Sequence, residues 1–228
     1  MADTTREYEP GNKLHRDLQQ LTARLLDLAQ LAQNALSRAV DAWARRDHDL
    51  ARQVLAGDAA INDLEEILDS DCVRLVALYQ PVATDLRQVM AVDHIIAELE
   101  RVCDSATNMA EEVFAAGSEA DFPTHPDLPR MAGLVHRMLE DSMEAFRRPD
   151  VLLARAVCLA DDEVDGLDRS IIHDLVAQMA AKPGLMAAGL AQINVVRNLE
   201  RVADHATNIA EQVVYMVEGE SVRHRCQG

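Results

Sequence analysis

ELERVCDSATNMAEEV occupies residues 98–113, and NLERVADHATNIAEQV occupies residues 198–213. Eleven of the sixteen positions are identical at a shift of 100, so the chain carries an internal duplication. Both stretches read as helix. Leu99, Val102, Ala106, Met109 and Val113 recur at three- and four-residue steps, with no glycine or proline between them. Working outward, LARQVLAGDAAINDL (50–64) pairs with LARAVCLADDEVDGL (153–167) at a shift of 103, with six of fifteen positions identical. The three-residue difference falls between the two blocks, where Pro81 and Pro183 lie.

The rest of the chain fits the same plan. Leu14, Leu18, Leu21, Leu25, Leu28, Ala32, Ala35, Ala39 and Ala42 alternate steps of four and three, a coiled-coil-like seam for a first helix. A second helix is expected over about 47–79, with Val54, Ile61, Leu64, Leu68, Leu75 and Leu78 turned inward, and Gln80-Pro81 ends it. A third runs over about 84–116, with Thr84 as its cap and Leu86, Val89, Leu99, Val102, Ala106, Met109 and Val113 on its apolar face. GSEADFPTHPDLP (117–129) reads as a linker. Helices over about 130–147, 150–181 and 185–217 repeat the order, and the tail after Gly219 reads as loose. The expected fold is all-α, two tandem three-helix bundles over 14–116 and 130–218.

Composition agrees. Nine glycines, seven prolines and 3% aromatic residues in 228 are too few for most sandwiches and barrels. Against 39 acids stand only 22 Lys and Arg, a net charge of −17, so no basic field exists to neutralise nucleic-acid phosphates. The longest charge-free run, residues 183–196, contains Gln192 and Asn194 and falls short of the roughly 18 to 20 residues a membrane span needs. MADTTREYEP has no apolar signal region, and Cys72, Cys103, Cys158 and Cys226 form no CxxC pair. Reduced, buried thiols and a cytoplasmic location are therefore expected.

The acids are patterned. Glu100, Asp104, Asn108 and Glu111 fall on one narrow arc opposite the apolar seam, and Glu200, Asp204, Asn208 and Glu211 repeat it. The preceding helices carry Asp58, Asn62, Glu65 and Asp69, and Asp161, Asp165 and Asp168, with Ile172 breaking the fourth place. Antiparallel neighbours would set the two stripes of each repeat side by side. Acids opposite an apolar face are most often a solvated surface. Here like charges stand four apart, which is mildly destabilising, and no lysine occurs between Lys13 and Lys182. Both repeats keep the acids in register although other positions have diverged. Oxygen-rich clusters of this kind suit divalent cations such as Mg²⁺, Mn²⁺ or iron. A di-iron oxidase is not indicated, because no Glu-x-x-His occurs. GxxxxGK, HExxH and GxSxG are also missing, and His205 is matched by Ser105 in the first repeat, so it belongs to no repeated ligand set.

Residues 81–113 (PVATDLRQVMAVDHIIAELERVCDSATNMAEEV), with NLERVADHATNIAEQV, closely resemble the PhoU family of phosphate-uptake regulators. The likeness extends over about 14–218 and includes the repeat, the ExxxD motifs and the Asp85-Leu86-Arg87 turn. It implies surface metal clusters held by Glu100, Asp104, Glu200, Asp204, Asp161 and Asp165, with Asp58 and Asn62 a degenerate copy. The metal would be iron, zinc, manganese or magnesium. It also implies a homodimeric adaptor, not an enzyme, that restrains a phosphate ABC transporter through its ATPase subunit and the partner sensor histidine kinase. Asp85, Arg87 and Arg148 are the partner-contact candidates by the same likeness. Two other classes stand beside it: an enzyme acting on phosphate compounds at a metal cluster, and a structural helical protein whose acidic faces only solvate it.

Overall fold

Asp47 and Asp150, one repeat apart, each accept two backbone N–H bonds at 2.9–3.0 Å and so start equivalent helices. In the computed structural model, which describes residues 10–116 and 123–219, the helices are α1 (Pro10–Arg45), α2 (His48–Tyr79), α3 (Ala83–Ala115), α4 (Leu128–Arg147), α5 (Val151–Ala181) and α6 (Met186–Glu218). A 3₁₀ turn, Pro183–Leu185, precedes α6. No strand occurs among the described residues. Helices α1–α3 form one bundle and α4–α6 the other, and α3 packs on α6 to join them. The duplication in the sequence is a duplication of the fold.

The joint runs antiparallel along both helices. Arg87 reaches Met216, Glu98 reaches His205 and Asn208, and Glu112 reaches Asn194. Alanines 91, 106 and 110 of α3 and 188, 191, 203, 206 and 210 of α6 are buried. Small side chains let two helix backbones approach closely, and one continuous core spans both bundles.

Several details depart from the sequence reading. Helix α3 begins one residue early, capped by Val82 without a side-chain bond, and Thr84 instead accepts from Arg87 Nη2 at 3.3 Å. Leu36 is buried where Ala35 is only half-buried, because a 3.6-residue turn drifts off a strict seven-residue pattern. The α2 seam continues through Cys72 and the half-buried Tyr79, which leaves Leu78 on the flank, 64% exposed. Leu86 is also exposed, on the first turn of α3. Helix α4 starts at Leu128, inside the expected linker; Pro129 fits a first helical turn, and Leu128 is buried. His125 is buried just before it, with its backbone N–H donating to Gln192 Oε1 at 2.9 Å. Residues 117–122 of the linker, the tail beyond Gly219 and Cys226 lie outside the described residues. The other three cysteines are buried, and among the described residues no helix is long and apolar enough to cross a membrane.

Leu99 and its repeat mate Leu199 are fully buried in α3 and α6. Changing either to alanine is expected to cost about 3 kcal/mol. Because the core is shared, urea unfolding of each variant should remain a single transition; two separated transitions would show that the bundles fold independently.

Candidate functional site: two carboxylate ladders

Helices α2 and α3 run antiparallel, so their acidic stripes meet rung by rung. Thr107 Oγ1 donates to Asp58 Oδ1 at 3.5 Å, which sets the register. Asn62 Nδ2 donates to the other Asp58 oxygen at 3.0 Å. Glu100 is half-buried; burial pushes its carboxyl up, and the negative charges of Asp104, Glu65 and Asp58 add to this, while Arg101 opposes it. Further along, burial and then the Asp69 charge raise Asp93, and the two carboxyl groups share a hydrogen bond.

The α5–α6 ladder is tighter. Burial, then Asp204, Asp165, Glu200 and Asp162, raise Asp161 to about 6. Burial raises Asp204 and Glu200 as well; Asp204 and Asp168 are the next causes for Glu200, and Asp165 and Glu98 add to Asp204 against the opposing His205. Asp168 is buried and accepts from Arg197 Nη1 at 3.0 Å, while its Oδ1 has no hydrogen-bond partner. Burial raises Asp168 too, and Arg197 pulls the other way.

The structure thus brings together Asp58, Glu100 and Asp104 in one ladder and Asp161, Asp165, Glu200 and Asp204 in the other. Asn62 stays with Asp58 on the exposed side. Asn208 leaves the stripe and donates to Glu98 at 3.0 Å. Among the described residues, no group of three or more His, Cys, Asp or Glu side chains is placed to hold a metal ion. Every potential donor in the ladders is an oxygen. The neighbouring Cys103 is buried and its thiol is pushed up to about 12, first by burial and then by Asp58, Glu100 and Asp104.

The three residues at the helix turns share one end of the molecule. Arg87 and the neighbours of Arg148, namely Arg147 and Pro149, line the same cavity. Asp85 is half-buried in the first turn of α3, where an acid offsets the helix dipole. Arg148 is exposed and pairs with Glu144 at 2.5 Å. Arg87 also serves the fold itself, because its Nε donates to Met216 O at 3.3 Å and ties the last turns of α6 to α3.

One pair was not singled out by sequence reasoning. His205 Nδ1 lies 2.7 Å from Glu98 Oε2 at the joint between the bundles, and Arg101 is 2.8 Å from Glu98 Oε1. Burial alone would raise Glu98; the bonds from His205 and Asn208 and the nearby positive charges bring it below its usual range. The repeat mates of this pair are Asn198 and Ser105, both buried, so only one half of the joint is ionic. The signal lay in that mismatch between repeats.

A PhoU domain family model matches residues 25–113 and again 128–213. A Pseudomonas putida phosphate-specific transport system accessory protein PhoU homolog is 33% identical over 215 residues, covering 94% of this chain and 84% of its own length. The crystal structure of PhoU from Pseudomonas aeruginosa superposes with a TM-score of 0.87 at 33% identity, covering 90% of this chain and 99% of that one. The phosphate transport system regulatory protein PhoU from Streptococcus pneumoniae gives a TM-score of 0.86 at 28% identity, covering 92% and 99%.

Asp161 gives a pH test. Its carboxyl is raised on folding, so its contribution to stability is present below about pH 4 and is lost as pH rises through about 6. In chelator-treated protein, Asp161→Asn is expected to raise Tm by about 3 °C near neutral pH and to have no effect below about pH 4. Calorimetry across that range checks it, and an equal gain at both ends would rule out repulsion within the ladder as the cause.

Proposed function

The chain belongs to the PhoU family, and from that premise we propose that it is a metal-dependent adaptor that restrains phosphate uptake when phosphate is plentiful. It is an accessory protein of phosphate transport and not an enzyme. The finer reading rests on one observation: each bundle holds half-buried carboxylates face to face, with burial and mutual repulsion driving Asp161 to about 6. Unmatched acids of this kind cost stability unless a cation offsets them.

Asp58, Glu100 and Asp104, with Asn62, would hold a divalent cation in the first ladder, and Asp161, Asp165, Glu200 and Asp204 would hold one in the second. A bound cation supplies positive charge and a coordination point for a partner's acidic or phosphate group. The all-oxygen donor set favours magnesium, manganese or iron over zinc, which prefers nitrogen and sulfur. The chain's own carboxylates bind and orient the cation, and the apolar seam behind them keeps the two stripes in register.

The proposed partners are the ATPase subunit of a phosphate ABC transporter and a phosphate-sensing histidine kinase, contacted through the end that carries Asp85, Arg87 and Arg148, with the adaptor acting as a homodimer. Arg148 is the cleanest probe of this contact, because Arg87 also ties down α6. Arg148→Ala is expected to weaken binding to the ATPase subunit about tenfold with metal content and Tm unchanged. Unaltered affinity would take Arg148 out of the contact.

The metal assignment has its own test. The double variant Glu200→Gln/Asp204→Asn should lose divalent metal in elemental analysis while keeping its helical circular dichroism. Adding Mn²⁺ at about 100 times Kd should stabilise the wild type by about 3 kcal/mol and the double variant by clearly less. Equal metal in both would reduce the ladders to solvating surface. In cells grown with ample phosphate, deleting the gene should switch on phosphate-responsive genes, and the double variant should fail to silence them.

A further inference from the structure

At the end of the molecule where α3 begins and α4 and α6 finish, a cavity of about 480 Å³ along α1 meets a second of about 360 Å³ between the two bundles. Thr22 and Gln88 line both. The inter-bundle cavity also receives the side chains of Thr84, Arg87 and Arg147, with Phe146 and Met216 supplying apolar wall. Among the described residues no carboxylate lines it, although the chain carries a net charge of −17.

Three features set this place apart. Arg87 has no carboxylate within ion-pair distance among the described residues; its bonds to Met216 O and Thr84 Oγ1 use two of its five N–H donors, so three remain. Arg147, by contrast, is held bidentate by Glu144 at 2.6–2.7 Å, so Arg87 supplies the uncompensated charge. The Thr22 hydroxyl is buried without a hydrogen-bond partner, a cost that a ligand oxygen would remove. Finally, the repeat mates of Thr84, Arg87 and Gln88 are Gly184, Ala187 and Ala188, so the whole polar set exists at one end only. The second repeat enters its inner helix through the 3₁₀ turn Pro183–Leu185, with small apolar residues at these three positions.

From these observations we infer that the cavity is a binding site for a small organic anion. The oxyanion head sits against Arg87 and the Thr22 hydroxyl, and a compact apolar body extends along α1 beside Leu18 and Leu26. A cavity of a few hundred Å³, mostly apolar with a few fixed polar groups, is the usual form of such sites. The guanidinium fork suits a planar carboxylate or a phosphate ester alike. The site is separate from the carboxylate ladders and does not rest on the metal reading.

The test uses the full chain stripped of metal by chelator, so that an anion held by a ladder cation is not read. Phenyl phosphate and benzoate are titrated while amide shifts are followed by NMR, with phenol as the uncharged control. Both anions should saturate shifts at Thr22, Thr84 and Gln88, and phenol should not. Arg87→Gln should weaken binding about tenfold or more, and Thr22→Val by a smaller factor. Arg130→Gln, whose guanidinium pairs with Glu163 elsewhere, should leave it unchanged. If Arg87→Gln loosens α6, Thr22→Val combined with Arg147→Gln carries the test, since neither touches the Arg87–Met216 bond. Saturation by only one anion assigns the site to that head group. No saturable shift at these amides, or equal binding by the variants, overturns the proposal.

Discussion

The antiparallel packing of α3 on α6 is the constraint on which the rest depends. Each of these helices is the inner member of its own bundle and also the wall of the other, so its apolar surface wraps far around the axis. That leaves one narrow outward arc, and the acids Glu100, Asp104, Glu200 and Asp204 occupy it. Outer helices α2 and α5 flank that arc and bring their own acids beside it. The ladders therefore follow from the joint: burying both inner helices on three sides confines the polar residues to a single line. The half-buried Glu98–His205 contact adds direction, because a carboxylate that also takes bonds from Asn208 and Arg101 is satisfied in one register only.

Duplication does not mean identity, and the differences are physical. In the first repeat Ala97 stands where Arg197 stands in the second, so Glu65 lacks the guanidinium that its mate Asp168 receives. Asn62 stands for Asp165, which removes one negative charge from the first ladder. At the next rung the first repeat has Asp69 facing Asp93, while the second has Ile172 and Ile193. The second ladder is thus shorter, capped by an arginine and an apolar rung, and its repulsion is concentrated on Asp161. The first is longer and spreads its charge over more rungs. The two proposed cation sites would accordingly differ in strength.

Much of this was legible in the sequence. The repeat gave the six helices, the stop at Pro81 and the acidic registers, because apolar period and duplication are strong one-dimensional signals. The pairing of the stripes was also legible, since antiparallel neighbours joined by a short turn must match rungs. What escaped was decided by three-dimensional context. Thr84 looks like a cap, yet the chain enters α3 through Val82, and the threonine serves Arg87 instead. Leu78 and Leu86 look like core, but the α2 seam runs through Tyr79 and leaves Leu78 on the flank, and Leu86 is exposed on the first turn of α3. His205 looked isolated because its partner lies 107 residues away, and only the packing of α3 on α6 brings Glu98 to it.

The central claim is that the two ladders are cation sites built into the joint between the repeats. Anomalous diffraction from crystals grown with Mn²⁺, collected on either side of the manganese edge, tests it most directly. Anomalous density is expected at both ladders, beside Asp161, Glu200 and Asp204 and beside Asp58, Glu100 and Asp104, with higher occupancy at the former. Density only at lattice contacts, or none at either ladder, would contradict it.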